Sequence, residues 1–159
     1  MKTDSHTKLV ASLLGAAVFA TLAFVGAAQA GSQRGTVHVT AKLSAGLETP
    51  KPHVDVKSAA GGFTASFVQT KKGYTMSWHL TFGKLSGKAS SAYIHKGATG
   101  KYGPALFQLC SPCTTGSHGT AYASPSEVDL VLRGQTYVNV RTKKNPTGEI
   151  RGQLLARAS

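Results

Sequence analysis

The chain has 159 residues, with 18 Lys or Arg against 6 Asp or Glu, and a formal net charge of +12. This length allows one domain with a single core, and the charge favours anionic surfaces and polymers as partners without bearing on the fold. No basic helix is present and the lysines are scattered or paired in turns, which excludes a dedicated nucleic-acid motif.

The first thirty residues read as a secretory signal peptide. Lys2 and Lys8 form a thin positive start, Leu9 to Ala28 is apolar, and Ala28-Gln29-Ala30 is a small-x-small cleavage site before Gly31. The competing reading is a retained membrane anchor, since the apolar run is about long enough to span. No lipobox Cys stands near the site, because Cys110 and Cys113 are the only cysteines. Cleavage leaves residues 31–159 as one domain without a transmembrane segment. Loss of Lys2, Lys8 and Asp4 takes its net charge to +11.

Alternation of apolar and polar residues then recurs along the chain. Val37, Val39, Ala41 and Leu43 share one strand face, and Phe63, Ala65 and Phe67 mark a second strand. The segment between them, Ala45 to Ser58, carries Pro50 and Pro52 and is too rich in proline for a central strand. Tyr74, Met76, Trp78, Leu80 and Phe82 give the cleanest period of two, and Lys71-Lys72-Gly73 supplies the hairpin turn before them. Tyr93 and His95 share a face that Ile94 does not. Ala105 to Leu109 is a further strand, followed by Cys110-Ser-Pro-Cys113 in a loop of Ser, Pro, Thr and Gly. A redox Cys pair opens a helix that lowers the thiol pKa, and nothing after Cys113 looks helical; a small structural disulfide is the better reading.

Ser124-Pro125-Ser126-Glu127 has the order of a capping box with Pro at the first helical position, and Gly134 offers a C-terminal stop. A helix of about two turns follows from this. The alternative is a strand with Val128, Leu130 and Leu132 on one face. The end of the chain, Tyr137 to Leu154, reads as a hairpin: Val138 and Val140 alternate with Tyr137, Asn139 and Arg141. Asn145-Pro-Thr-Gly148 turns the chain, and Ile150, Gly152 and Leu154 resume the alternation. Short strands with Gly-rich turns make an all-β, antiparallel sandwich or barrel with one short helix.

Three segments resemble a known family. Tyr137-Val-Asn-Val-Arg-Thr142, then Asn145-Pro146 and Gly148-Glu-Ile-Arg-Gly-Gln-Leu154, is similar to the closing motif of chordin-type (CHRD) domains, with Arg141 where the family has His. Ala92-Tyr-Ile-His-Lys-Gly97 through Gly103-Pro104 is similar to its His-Ile-His segment, with Tyr93 where the first His stands. Tyr74 to Phe82 with Leu85-Ser-Gly87 fits its rhythm of a long strand and Leu-Ser-Gly. The resemblance runs from about Val37 to Leu154. It implies a Greek-key, immunoglobulin-like β-sandwich of superoxide-dismutase-like shape and, with the short n-region, an exported bacterial protein.

The resemblance also frames the chemistry. The family's His-Ile-His and later His would make an imidazole cluster for copper or zinc. Here Tyr93 and Arg141 replace two of the three, so His95 remains alone as a weak metal candidate, beside a cation that repels metal. His38 and His79 lie on outward faces of other strands. Ser117-His118 has no nucleophile-elbow context, and Glu48, Asp55, Glu127, Asp129 and Glu149 make no catalytic carboxylate pair. Asn139, Glu149 and Arg151 are expected to form a hydrogen-bonded network on the polar face of the hairpin, with Glu149 as the partner of Arg151.

These readings converge on a secreted, non-enzymatic binding module without a cofactor. Tyr93, His95, Tyr137, Asn139, Arg141, Glu149 and Arg151 form its structural or binding motif. Its partner is expected to be an extracellular protein or an anionic envelope polymer. Animal chordin binds growth factors, a partner that a single-domain chain does not inherit. The alternatives are a polycation docking on envelope polymers and a degenerate superoxide-dismutase-like metalloprotein.

Overall fold

A computed structural model of the chain describes residues 35–54 and 56–157. The signal peptide and its cleavage site, and Asp55, lie outside the described residues. Nine strands and one helix follow in order: β1 (Thr36–Ser44), β2 (Ala60–Gln69), β3 (Tyr74–Gly83), β4 (Ala89–Lys96), β5 (Ala105–Cys110), β6 (Ser117–Ala123), α1 (Pro125–Leu132), β7 (Thr136–Thr142), β8 (Ile150–Gln153) and β9 (Leu155–Arg157). A 3-10 turn, Ala45–Leu47, leaves β1.

The strands form one antiparallel sheet in the order β5-β4-β7-β8-β1-β2-β3-β6, with β9 beside β1. The sheet curls nearly into a barrel, which agrees with the sandwich-like all-β fold expected. Chain neighbours β1, β2 and β3 pair as a meander. β4 instead crosses over to pair with β7, and β6 returns to β3. The edges β5 and β6 touch without a ladder between them.

Alternation decides the interior. Val39, Ala41 and Leu43 from β1, Phe63 and Phe67 from β2, and Met76, Trp78 and Leu80 from β3 are buried while their sequence neighbours face outward. Strand β6 was not legible as a strand, because its inward positions are Gly119, Ala121 and Ala123. The small residue is required at Gly119, which pairs with Trp78: a Cβ there would stand 3.0 Å from the indole. The helix forms as its start signal predicts. Ser124 Oγ accepts from the Glu127 amide, the Glu127 carboxylate accepts from the Ser124 amide, and Val128 and Val131 face the core. Gly134 closes it at φ 65°.

Strand β7 is buried on both faces. Thr136, Val138, Val140 and Thr142 point one way and Tyr137 and Asn139 the other, and all six are buried. A sheet with one solvated face would leave Tyr137 and Asn139 wet. Here two loops cover them: residues 45–54 after β1, and residues 97–104 between β4 and β5. The site lies beneath these loops.

Candidate functional site

Strand register assembles the site. His95 of β4 stands opposite Tyr137 of β7, Tyr93 opposite Asn139, and Asn139 opposite Arg151 of β8. Arg141 lies two residues beyond Asn139 on the same face. The His95 and Tyr137 rings stack at 5.0 Å with 9° between planes, and the Arg151 guanidinium carbon lies 3.4 Å from the Tyr137 ring centroid. Arg141 stands over the Tyr93 ring at 4.7 Å, and Tyr93 meets His95 edge-on at 5.8 Å.

His95 is committed on both ring nitrogens. Nδ1 donates to the Gly103 carbonyl at 2.9 Å, which leaves Nε2 as the acceptor facing Arg141 Nη2 at 3.4 Å. Burial first, and the two arginine charges with it, hold the imidazole pKa below its ordinary value, against the opposing effect of the hydrogen bond it donates to Gly103. A neutral ring follows. Positions 93, 95 and 141, where the resembling family carries its three imidazoles, therefore do converge. In this chain an aromatic ring and a guanidinium fill two of the three places and contact each other. Among the described residues, no group of three or more His, Cys, Asp or Glu is placed to hold a metal ion.

Arg141 Nε donates to Asn139 Oδ1 at 3.2 Å, and Asn139 Nδ2 donates to Glu48 Oε2 at 2.7 Å. In the sequence Glu48 is one of five acids that make no catalytic carboxylate pair, and nothing there marks it as part of the site. Its exposure is 2%. The carboxylate reaches the sheet because the chain turns immediately after β1, and its other oxygen accepts from the Thr49 amide at 3.1 Å. Burial raises its pKa to about 7, against the lowering effect of Thr49, Arg151, Arg141 and Asn139. The hairpin turn supplies the seat. A Cβ on Gly148, at φ 156°, would fall 2.2 Å from Asn139 Nδ2 and 2.4 Å from Glu48 Oε2.

The expected Asn139, Glu149 and Arg151 network is corrected by this geometry. Glu149 precedes β8 and turns away from Arg151. It accepts from the amide and hydroxyl of Ser86, from Thr142 Oγ1 and from Asn145 Nδ2. Burial alone would raise its pKa, but these donors more than offset it and hold the carboxyl below its ordinary value. Arg151 uses Nη2 on the carbonyls of Ala98 and Lys101, at 3.0 and 2.8 Å, so its partners are backbone dipoles and the Tyr137 ring. The reason is reach: the turn at Asn145 draws the Glu149 side chain to the loop after β3, on the far side of the hairpin from the 97–104 loop.

The remaining site residues lie apart. His38 and His79 are exposed on other strands, as expected. Cys110 and Cys113 form a disulfide with Cα atoms 5.2 Å apart. It closes a short loop at the end of β5. Among the described residues, no helix is long and apolar enough to cross a membrane.

A family model for the CHRD domain matches residues 39–154. No curated protein and no solved structure matches the chain.

Proposed function

Because the chain belongs to the CHRD domain family, we propose that it works outside the cytoplasm as a non-enzymatic binding module. One observation carries this reading. The polar residues most suggestive of chemistry lie beneath two loops and give their hydrogen bonds to one another and to loop carbonyls, Arg151 Nη1 being left without a partner. His95 is held between a carbonyl and Arg141, Asn139 between Arg141 and Glu48, and Arg151 on two carbonyls. A catalytic group needs a face toward its substrate. These groups fasten loops to a sheet instead, and leave recognition to the outer surface. The Cys110–Cys113 disulfide suits an oxidising compartment, and the Ala28-Gln29-Ala30 motif suits export.

Retention of envelope and medium components by the purified protein, with a salt series, tests the reading. Selective retention of a component, without turnover of it, supports a binding module; retention of nothing at any salt overturns it. Loss of all retention at high salt marks a docking polycation. Elemental analysis separates the metalloprotein alternative. The purified protein is expected to carry no stoichiometric copper or zinc, whereas Tyr93→His with Arg141→His frees His95 Nε2 and brings three imidazoles together.

A further inference from the structure

A different part of the molecule has the features of a ligand site. Where the loops after β3 and β5 meet the β7–β8 turn, two cavities of about 560 and 550 Å³ lie side by side. They share Gly87, Lys88, Ala89 and Pro112, so they adjoin along these residues and are together termed the trough. Each is in the size range of small-molecule sites, about 300–1,000 Å³. Phe82, Leu85, Ala89 and Cys113 give the trough an apolar floor. Lys84 and Lys88 rim one part, and Lys143 and Lys144 the other. All four lysines are exposed, none has an acidic partner among the described residues, and no acid lines either cavity.

We infer that this trough binds a single-chain amphiphile with an anionic head, the acyl body lying on the apolar floor and the head meeting the lysine ammoniums. The inference rests on the binding-module reading and names a ligand class for it. Charge complementarity selects an anion, since four lysines without an acidic partner among the described residues line the two adjoining cavities and no acid does. The floor selects an amphiphile over a polyanion, because a polymer of sugars or phosphates gains nothing from Phe82 and Leu85. The site also explains the paired Lys143-Lys144, which the hairpin turn itself does not need.

Calorimetric titration of the purified protein with decyl phosphate below its micelle concentration tests this. Decyl maltoside presents the same chain without charge, and inorganic phosphate the head without a chain. Both are expected to bind at least about tenfold more weakly than decyl phosphate. Lys88→Glu with Lys143→Glu is expected to weaken decyl phosphate by about tenfold or more, while Lys71→Glu with Lys72→Glu, an equal charge change at the β2–β3 turn, moves it less than about twofold. Melting curves confirm that both variants are folded. Equal weakening by the two pairs overturns the trough in favour of net charge. Binding of dextran sulfate that displaces decyl phosphate and is lost in the same trough variant overturns it in favour of a polyanion. Absence of decyl phosphate binding overturns the trough alone, and the module reading stands if envelope or medium components are still retained.

Discussion

Glu48 and Glu149 are two carboxyl groups sealed from solvent within one hairpin's reach of each other, and they are pushed in opposite directions. Glu149, at 0% exposure, receives four donors from Ser86, Thr142 and Asn145 and stays ionised. Glu48, at 2%, receives two, from Asn139 and Thr49, and its pKa rises to about 7. Two arginines near Glu48 do not reverse this, since neither donates to it directly. The difference is a contest between burial and what opposes it: at Glu48 burial outweighs two donors and two arginine charges, whereas at Glu149 four donors outweigh burial. It also separates two roles: Glu149 is a folding anchor, and Glu48 is a carboxyl that titrates near neutrality.

The largest effect that would break the comparison is expected at Glu149. Glu149→Ala strands a buried amide, two hydroxyls and an amide nitrogen, for a loss of about 4 kcal/mol in chemical denaturation. A loss below about 1 kcal/mol would show that the donors find water, and the anchor reading fails.

The next effect is a pH dependence with two limbs. Glu48 binds its proton more tightly folded than unfolded, so its contribution is complete below about pH 4.5 and is lost as pH rises to about 7, an interval worth about 3 kcal/mol. Glu149 has the opposite sign: its contribution is present above the ordinary carboxylate range and is lost as pH falls through its lowered pKa. His95, whose pKa is lowered, gains stability as pH rises toward its ordinary value near 6.5 and offsets part of the Glu48 loss below that pH. Melting temperatures are therefore expected to be highest between about pH 5 and 6.5 and to fall above it. Glu48→Gln should flatten the limb between pH 5 and 8 and leave the acid limb intact. A Gln variant that retains the full alkaline slope assigns that slope elsewhere.

Gly148→Ala sharpens the comparison from the turn. The added methyl meets the Asn139–Glu48 hydrogen bond and the backbone is strained at φ 156°, so a loss of about 2 kcal/mol is expected. The same variant should abolish the alkaline limb, since Glu48 loses its seat. The smallest effect belongs to the disulfide, remote from both acids. Its closed loop is short, so reduction should cost about 1–2 kcal/mol without changing either limb of the pH profile.

The comparison also shows where sequence reasoning reached. The hairpin, the capped helix and the meander of β1 to β3 were legible because alternation, a capping box and turn residues are local signals. The convergence of positions 93, 95 and 141 was legible through the family resemblance. Strand β6 was not, because Gly119 and Ala121 give it no hydrophobic period. Glu48 was invisible because its partner Asn139 is 91 residues away. Pairing Glu149 with Arg151 failed for a related reason: two residues apart on a strand share a face, but Glu149 stands in the turn, where that rule lapses.

The near-closure of the sheet has a mechanical consequence. Eight strands are laced edge to edge, but between β5 and β6 there is a seam without rungs, crossed by the chain itself through Cys110 to Gly116. That crossing carries the disulfide, and the amide of Cys113 is tied back to the Ala89 carbonyl. The disulfide therefore tightens the β5 end of that crossing, a tether within one segment rather than a bond between the two edges. With it reduced, the β4–β5 ladder and the Cys113–Ala89 hydrogen bond still hold that end, so the two edges keep their places. Reduction is therefore expected to show in the melting temperature alone, and not as association that grows with protein concentration.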